Sequence, residues 1–328
     1  MASPSATSLP TADYYFLRAL APRVASGPSA EPGRPIARVG PYTFVHERRV
    51  VIVRYVTPAE LDHIRALHPE RVYYVLDDML PIAHACEELP ADYRRRLARF
   101  TRDLLPRIMD LGPTVVAPSD AILALFPNLP GERLDPALLG LAPDLHHFTA
   151  PGPLRLAFLG TRSHSNGLEF LAPVLEHVLR DNRDITLVVF LGRHLPARVA
   201  RLPGVENCAP LAWMDYRARM AGERFHLLLA PLPDTPFNRG RSLTKLMEAA
   251  GAGAALLASA RSPFSAAIET GRDGLLLSDT PGDWVREIRR LAANREAARR
   301  LAEGSARLAL RIGDPERLAL FWRERLAF

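Results

Sequence analysis

Short apolar runs alternate with helix-like segments along most of the chain. In the first half, β-branched and aromatic runs predict strands at residues 50–55, 72–76 and 114–117. After the first run, Thr57 is a predicted N-cap, Pro58 occupies the first helical position and Glu60 completes a capping box. Further helices are predicted near residues 91–110 and from Ser119 to Phe126.

The pattern is more regular in the second half. Strands are predicted at residues 154–159, 185–191, 225–230, 254–258 and 274–277. Helices are predicted at residues 166–180, 242–251, 281–293, 294–308 and 314–326. Strands and helices that alternate at this length are typical of parallel, doubly wound sheets. We therefore expect an α/β protein with two Rossmann-like domains that face each other across a cleft.

Composition shifts suggest where these domains begin and end. Residues 1–150 are predicted to form an N-terminal Rossmann-like domain, whose first forty residues are partly flexible because they are rich in Pro, Ser, Ala and Gly. Within them, 14–17 is a candidate docking helix and 25–36 a flexible loop. Residues 151–312 are predicted to form a C-terminal Rossmann-like domain. Residues 313–328 are predicted to form a helix that packs back toward the first domain through its Phe321-Trp322 pair.

Composition excludes several classes of protein. The chain has 328 residues, of which 48% are hydrophobic and 24% charged, so it is neither disordered nor collagen-like. We see no run of eighteen apolar residues and no secretory leader. Cys86 and Cys208 are too few for a disulfide framework or a four-cysteine metal site. We expect a cytoplasmic protein, with peripheral association with the inner face of the membrane as an open alternative.

The cations are unevenly distributed and almost uniform in type. Of the 42 Lys and Arg residues, only Lys245 is a lysine, and the positive net charge lies wholly in residues 151–328. A basic half beside a neutral one indicates an anionic ligand, although an Arg-rich solvated surface would give the same count. Because the longest basic run is 94–96 and no nucleic-acid-binding motif occurs, we expect no nucleic-acid partner.

Candidate binding residues come directly after the predicted strands, because ligands of open α/β sheets bind at the carboxyl ends of strands. The polar turn from Gly160 to Gly167 precedes a helix N-terminus, where N–H groups can bind an anion. Arg193 comes after the next strand and is suited to phosphate. Either feature is also compatible with an ordinary connecting loop or a surface arginine.

The segment 231–253 carries the most specific pattern. A strand ends in Pro231, a polar loop containing Asn238 comes next, and a helix begins near Arg241 and Ser242. Lys245 and Glu248 are three residues apart, so they lie on one face of this helix. The helix N-terminus and Lys245 can bind a diphosphate, while Glu248 can accept two ribose hydroxyls. A surface ion pair is the structural alternative.

Together these residues resemble the donor half of GT-B glycosyltransferases, closest to family 4, the glycosyl transferases group 1 type of bacteria. The resemblance covers about residues 154–293 and includes the Lys-x-x-Glu helix. It implies that residues 151–312 form a nucleotide-sugar-binding domain, which binds a nucleotide-diphosphate sugar, and that residues 1–150 form the acceptor-side domain. By resemblance, Glu248 holds the ribose, and Arg193 and Lys245 hold the diphosphate. N–H groups near Arg241 and Ser242 assist in holding the diphosphate. Trp213 lies in the loop that faces the base, and Gly160 lets the donor phosphate or the acceptor approach the backbone.

One position departs from the family pattern. The usual Glu eight residues before the ribose Glu is replaced by Gly240. Asn238, Asp234 or Arg241 are candidate substitutes near the donor sugar, and the stereochemical outcome stays open. The resemblance implies no cofactor and no metal ion, because cations and helix dipoles handle the leaving diphosphate.

The first half offers candidate catalytic groups. Asp77 and Asp78 stand at a strand end, where one carboxylate could act as general base toward the acceptor. An N-cap and a solvated aspartate would look the same. His46, His84 and His164 are further candidate bases, although a lone histidine is more often structural.

The sequence therefore predicts a hexosyltransferase-type enzyme. It would transfer a sugar from a nucleotide-diphosphate donor to a glycan, lipid-linked or protein acceptor, as in polysaccharide biosynthesis. The alternative is a catalytically degenerate GT-B module that binds nucleotide or glycan or scaffolds a partner. Gly240 and the short first half favour that alternative.

Overall fold

A computed structural model describes residues 9–26, 36–180 and 182–328. Most of the predicted flexible loop at 25–36 therefore lies outside the described residues. The chain divides into two compact units. The first unit comprises Met1–Leu139, Arg239–Ser242 and Gly313–Phe328, and the second comprises Gly140–Asn238 and Leu243–Ile312.

Thirteen strands are described. They are β1 (Val24–Ser26), β2 (Ile36–Gly40), β3 (Thr43–His46), β4 (Arg49–Val53), β5 (Arg71–Val75), β6 (Thr114–Ala117), β7 (Gly131–Arg133), β8 (Leu154–Phe158), β9 (Ile185–Val189), β10 (Val205–Asn207), β11 (Leu227–Ala230), β12 (Ala255–Ser259) and β13 (Leu275–Leu277).

The α-helices vary more in length than the strands. They are α1 (Pro10–Ala12), α2 (Arg18–Leu20), α3 (Pro58–Ala66), α4 (Ala91–Asp103), α5 (Leu105–Met109), α6 (Asp120–Leu123), α7 (Ser165–Leu179), α8 (Ala197–Ala200), α9 (Trp213–Gly222), α10 (Thr244–Ala252), α11 (Phe264–Ala267), α12 (Pro281–Ala293), α13 (Arg295–Ile312) and α14 (Pro315–Leu326).

The first unit contains a seven-stranded mixed sheet in the order β1-β2-β3-β4-β5-β6-β7. Strands β4 to β7 are parallel, whereas β2, β3 and β4 form an antiparallel meander. The sequence predicted parallel strands here but missed β1, β2, β3 and β7, and the first residues of the loop predicted at 25–36 belong to β1. The helix predicted after β4 is α3, and its capping box forms with Thr57 as N-cap.

Aromatic side chains pack α14 within the first unit. Trp322 is fully buried, and its indole Nε1–H donates a 2.6 Å hydrogen bond to the carbonyl oxygen of Tyr15. The Trp322 ring meets Phe16 edge-on at 5.2 Å and Tyr73 of β5 at 5.8 Å. The Tyr14–Leu17 stretch proposed as a docking helix lies largely in a π-helical turn, Asp13–Leu17, between α1 and α2.

The second unit contains a six-stranded, wholly parallel sheet. Its order is β10-β9-β8-β11-β12-β13, which is the Rossmann order. From the central strands β8 and β11, successive strands are added outward, toward β10 on one side and toward β13 on the other. Alternate residues of all strands but the edge strand β10 join one large apolar cluster with helices α7, α12 and α13. The intervening residues, such as Val188, Leu228 and Leu256, are buried as well. Burial on both faces explains why these strands are almost continuously apolar.

Candidate functional site

The central strands β8 and β11 of the second unit mark its topological switch point. They pair in parallel, and the chain winds away from them in opposite directions. Loops that leave the carboxyl ends of two such strands separate and leave a crevice where ligands bind. Here these loops begin at Leu159-Gly160 and at Pro231.

Lys245 reaches this switch point from the first turn of α10. Its Nζ donates a hydrogen bond to the carbonyl oxygen of Leu159, directly after β8. The same ammonium lies 2.5 Å from Oε2 of Glu248, and the two side chains are only 21% and 11% exposed. This burial distinguishes the pair from a solvated surface ion pair. The predicted one-faced arrangement of Lys245 and Glu248 is present.

The N-terminus of α10 lacks a side-chain cap. Its N-cap residue is Leu243, which offers no side-chain acceptor to the first-turn N–H groups. These donors, together with the Lys245 ammonium, give the start of the helix a positive electrostatic potential. The arrangement is suited to an anion such as a diphosphate.

Gly160 has no room for a side chain. A Cβ atom there would lie 2.6 Å from the Phe158 ring and 3.0 Å from Cβ of His164. A hydrogen bond within the next turn stabilises it: the Thr161 amide donates to Nδ1 of His164 at 3.3 Å. His164 therefore lies in the loop at the switch point.

Arg193 lies in the turn after β9. The turn is held against β10 by Asn207, whose amide group exchanges 2.9 Å and 2.8 Å hydrogen bonds with the backbone of Gly192. Gly192 adopts a left-handed conformation at φ 52°, which favours glycine. The Arg193 side chain is exposed and forms no ion pair with a described residue.

Trp213 and Asn238 occupy different local settings. Trp213 opens α9 and stacks on Tyr216 at 5.7 Å with an interplanar angle of 22°. Asn238 is buried in the loop after β11, where its Nδ2 donates a 2.9 Å hydrogen bond to the Pro233 carbonyl. Asn238 thus shapes the loop. Asp234 in the same loop is exposed and pairs with Arg261 at 3.7 Å.

A second group of charges lies in the first unit, at the carboxyl ends of β4 and β5. Arg54 comes directly after β4, and its guanidinium contacts Asp77 at 2.9 Å and Asp78 at 3.1 Å. The other Asp78 oxygen accepts a 2.6 Å hydrogen bond from Arg241. Thr11 donates to Asp77 at 2.7 Å. We call Arg54, Asp77, Asp78 and Arg241 the charge cluster.

Burial changes the acid–base chemistry of the charge cluster. Desolvation raises the pKa of the Asp77 carboxyl above its ordinary value, and the neighbouring Asp78 adds to this, whereas Arg54 opposes it. Burial also raises the pKa of Tyr93, whose hydroxyl lies 3.5 Å from Arg54. A carboxylate with a raised pKa is a better proton acceptor than an ordinary one.

The other histidines do not join the charge cluster. His46 ends β3 and pairs with Arg49 at the start of β4. This is the amino end of β4, whereas Asp77 lies beyond the carboxyl end of the parallel strand β5. His84 is exposed and bonds to the Pro81 carbonyl at 3.1 Å.

Gly240 is enclosed by side chains of the first unit. A Cβ atom at this position would lie 2.4 Å from Cγ of Met79 and 3.1 Å from Ile122. The Gly240 carbonyl also faces the hydroxyl of Ser119 at 3.5 Å. The Glu that the resembled family carries here would not fit this packing.

The predicted site residues thus fall into two groups. Six of them belong to the second unit, namely Gly160, Arg193, Trp213, Asn238, Lys245 and Glu248, and four to the first, namely Asp77, Asp78, Arg241 and Ser242. Sequence reasoning missed Arg54, although it stands at the carboxyl end of a strand, as the other candidates do. Thr11 and Tyr93 gave no such signal.

The described residues offer neither a metal cluster nor a bilayer span. No group of three or more His, Cys, Asp or Glu side chains in the described ranges is arranged to hold a metal ion. No helix among them combines the length and apolar character that a bilayer span requires.

One protein-family model matches part of the chain. The glycosyl transferase-like family model matches residues 173–312, which include α10 with Lys245 and Glu248. No curated protein sequence matches the chain.

Solved structures resemble most of the chain. A TarM variant from S. aureus, in complex with fondaparinux, α-GlcNAc-glycerol and UDP, has a TM-score of 0.53 and 11% identity over 81% of this chain. The chain spans about half of TarM, at 54% of its length. Sucrose-phosphate synthase from Thermosynechococcus elongatus has a TM-score of 0.58 and 15% identity, over 85% of this chain and 74% of that one.

A third similar structure is Anabaena HepE in complex with UDP and glucose. It has a TM-score of 0.58 and 16% identity, and the match covers 84% of this chain and 77% of HepE. The predicted fold class and the resemblance to GT-B glycosyltransferases are confirmed. The chain has the GT-B fold, and residues 173–312 match the glycosyl transferase-like family.

Proposed function

We propose that this protein transfers a hexose from a nucleotide-diphosphate sugar to a glycan, lipid-linked or protein acceptor. The observation that carries the proposal is the partly buried Lys245–Glu248 pair at the switch point of the second sheet. A ribose–diphosphate unit carries an anionic diphosphate next to ribose hydroxyls. A cation beside a carboxylate can bind both, the cation the diphosphate and the carboxylate the hydroxyls. TarM and HepE, which share the fold, are in complex with UDP in their structures.

In this proposal, the donor rearranges the Lys245–Glu248 pair. The Lys245 ammonium turns to the diphosphate, and Glu248 accepts hydrogen bonds from ribose hydroxyls, so both groups exchange one polar partner for another. The uncapped N–H groups of α10 and the exposed Arg193 add positive charge. This charge stabilises the diphosphate as it leaves with the electrons of the glycosidic bond. We therefore also propose that transfer needs no metal ion.

The acceptor hydroxyl must lose a proton when it forms the new glycosidic bond. Asp77 is our candidate general base, because its buried carboxyl has a raised pKa. Its two oxygens are already engaged by Arg54 and Thr11, so an acceptor hydroxyl would have to displace the Thr11 contact. Replacing Asp77 by Asn should then lower kcat more than it changes the KM of the donor.

A thermal-shift screen against UDP, GDP, TDP and their sugars tests the proposal. A ligand that binds only the folded protein raises its apparent stability, by about 2.7 kcal/mol at a hundred times the dissociation constant. We expect the nucleotide and the sugar donors of one base to raise the melting temperature. We also expect the protein to turn over the matching sugar donor at the same rate with and without EDTA. Absence of a shift with every nucleotide would contradict the proposal.

A non-catalytic GT-B module is the second candidate function. It is favoured by Gly240, where Met79 and Ile122 leave no room for the acidic side chain of the resembled family. Such a module would bind nucleotide but release no sugar from it. Turnover, and not binding, separates the two functions.

A further inference from the structure

A four-residue segment is exchanged between the two units. Arg239–Ser242 lies in sequence between β11 and α10, which both belong to the second unit, yet these four residues belong to the first. The chain therefore leaves the second unit after Asn238 and re-enters it at Leu243. We call Arg239–Ser242 the exchanged segment.

Packing at Gly240 and an ion pair of Arg241 are among the contacts that hold the exchanged segment in the first unit. Gly240 packs against Met79 and Ile122 too closely to admit a Cβ atom. Arg241 donates to Oδ1 of Asp78 at 2.6 Å, and Oδ2 of Asp78 lies 3.1 Å from Arg54. Asp78 thus lies between a cation of the exchanged segment and a cation at the end of β4.

Burial makes this ion pair a strong restraint. The side chains of Asp78 and Arg241 are 13% and 12% exposed, so water screens them little. Without the Asp78 charge, two partly buried guanidinium groups would share the remaining carboxylate of Asp77. Loss of one partner of a buried pair is costly because it leaves an uncompensated charge, and the cheapest relief is to release Arg241 to solvent.

We infer that Asp78 is a positioning residue for donor binding, which acts through Arg241 on the exchanged segment. Helix α10 begins two residues after Ser242, and its first turn carries Lys245. A segment fixed at Arg241 restricts where that first turn can lie. The inference rests on the proposed donor-binding role of α10, and it gives the two aspartates different tasks, since Asp77 stays the candidate base.

Native-state proteolysis tests the anchoring step without reference to function. Trypsin cleaves after arginine, so the bonds after Arg239 and Arg241 report local release of the exchanged segment. We expect Asp78→Asn to be cleaved about tenfold faster at these bonds than the wild type, at unchanged urea stability of the rest of the chain. The matched control is Asp120→Asn, which removes an exposed ion pair with Arg133 from the same unit.

Binding of UDP, measured by calorimetry, tests the link to the donor. We expect Asp78→Asn and Arg241→Gln each to raise the dissociation constant about tenfold, and the double variant to be no worse than either alone. If Asp78→Asn does not fold, Arg241→Gln still reports cleavage after Arg239. The inference is overturned if both variants are cleaved at the Asp120→Asn rate, or if they are cleaved faster yet bind UDP like the wild type. If the wild type binds no UDP, the proposed function fails for this nucleotide, and proteolysis still decides the anchoring role.

Discussion

Lys245 shows why one lysine occurs in a chain whose other 41 basic side chains are arginines. Its ammonium fits between a backbone carbonyl and a carboxylate, at the carbonyl end of β8. An ammonium is a compact point charge, whereas a guanidinium is a wide planar fork. The position therefore requires the smaller cation.

Substitution of Lys245 by Arg should weaken nucleotide binding even though the charge is kept. We expect the dissociation constant of UDP to rise about tenfold to a hundredfold, because hydrogen bonds to charged groups contribute about 1.5–3 kcal/mol. Isothermal calorimetry on folded protein measures this. Arg300→Lys is the control, since Arg300 is exposed on α13 and should tolerate the change. Equal affinities of Lys245→Arg and wild type would show that Lys245 does not contact the nucleotide.

Gly240 stands where the resembled family usually carries a glutamate. We expect Gly240→Glu to lower the free energy of unfolding by about 3 kcal/mol, because the new side chain overlaps Met79. Urea denaturation measures the loss. The same substitution at Gly282, where an added Cβ meets nothing within 4 Å, should be tolerated in the first turn of α12. A Gly240→Glu variant with full stability and higher turnover would contradict the packing argument.

At the scale of elements, Trp322 is the largest buried side chain of α14. Trp322 is fully buried among Phe16 and Tyr73 and bonds to Tyr15, whereas Leu320 of the same helix is 55% exposed. We expect Trp322→Ala to cost about 3–5 kcal/mol of unfolding free energy and Leu320→Ala less than about 0.5 kcal/mol. Chemical denaturation of both variants checks this. Similar losses for the two would mean that α14 adds little to the first unit.

Two histidines hold the segment that precedes β8 against the second sheet. His226 accepts a 3.0 Å hydrogen bond from the Arg155 amide at Nδ1, so its Nε2 carries the proton and donates to the His147 carbonyl at 3.0 Å. Burial, together with smaller contributions from His147, Arg295 and Arg155, lowers the pKa of His226 to about 4. Burial also lowers the pKa of His147.

This arrangement predicts a loss of stability in acid. The unfolded histidine binds protons below about pH 6.5 and the folded one only near pH 4, so the free energy of unfolding falls as the pH drops between these values. We expect His226 to account for about 2–3 kcal/mol of that fall. His226→Gln should remove this contribution, and His63→Gln, at an exposed position, should keep it. The same pH dependence in wild type and His226→Gln would contradict the assignment.

The elements of the second unit are those that sequence predicts best. Apart from the exposed edge strand β10, which the sequence did not predict, its strands are buried on both faces and appear as apolar runs, and α12 begins and ends at the predicted residues. Strands β2 and β3 were missed because they lie in a Pro- and Gly-rich region and depend on each other for pairing. Likewise, the i, i+3 spacing predicted the Lys245–Glu248 face, but no local rule pairs Asp78 with Arg241, 163 residues away.

At the scale of the whole molecule, the charged side chains of the basic half differ in their surroundings. Many arginines of the basic half form exposed ion pairs along α12 and α13, such as Arg286 with Asp283 and Arg299 with Glu296. Such pairs contribute little to stability and do not require a nucleic-acid partner. The Lys245–Glu248 pair is different, because it is partly buried and lies at the switch point of a Rossmann sheet.

Release of nucleotide from a sugar donor tests the central claim most directly. Purified wild-type protein would be incubated with UDP-, GDP- and TDP-sugars, with water as the acceptor of the sugar in slow donor hydrolysis. The free nucleotide diphosphate would be measured over time beside Glu248→Gln and the control Arg300→Lys. We predict that wild type and Arg300→Lys release nucleotide from one donor family at equal rates, and that Glu248→Gln is at least about tenfold slower. Binding without release by the wild type, or equal rates for Glu248→Gln, would contradict a glycosyltransferase with its donor site on α10.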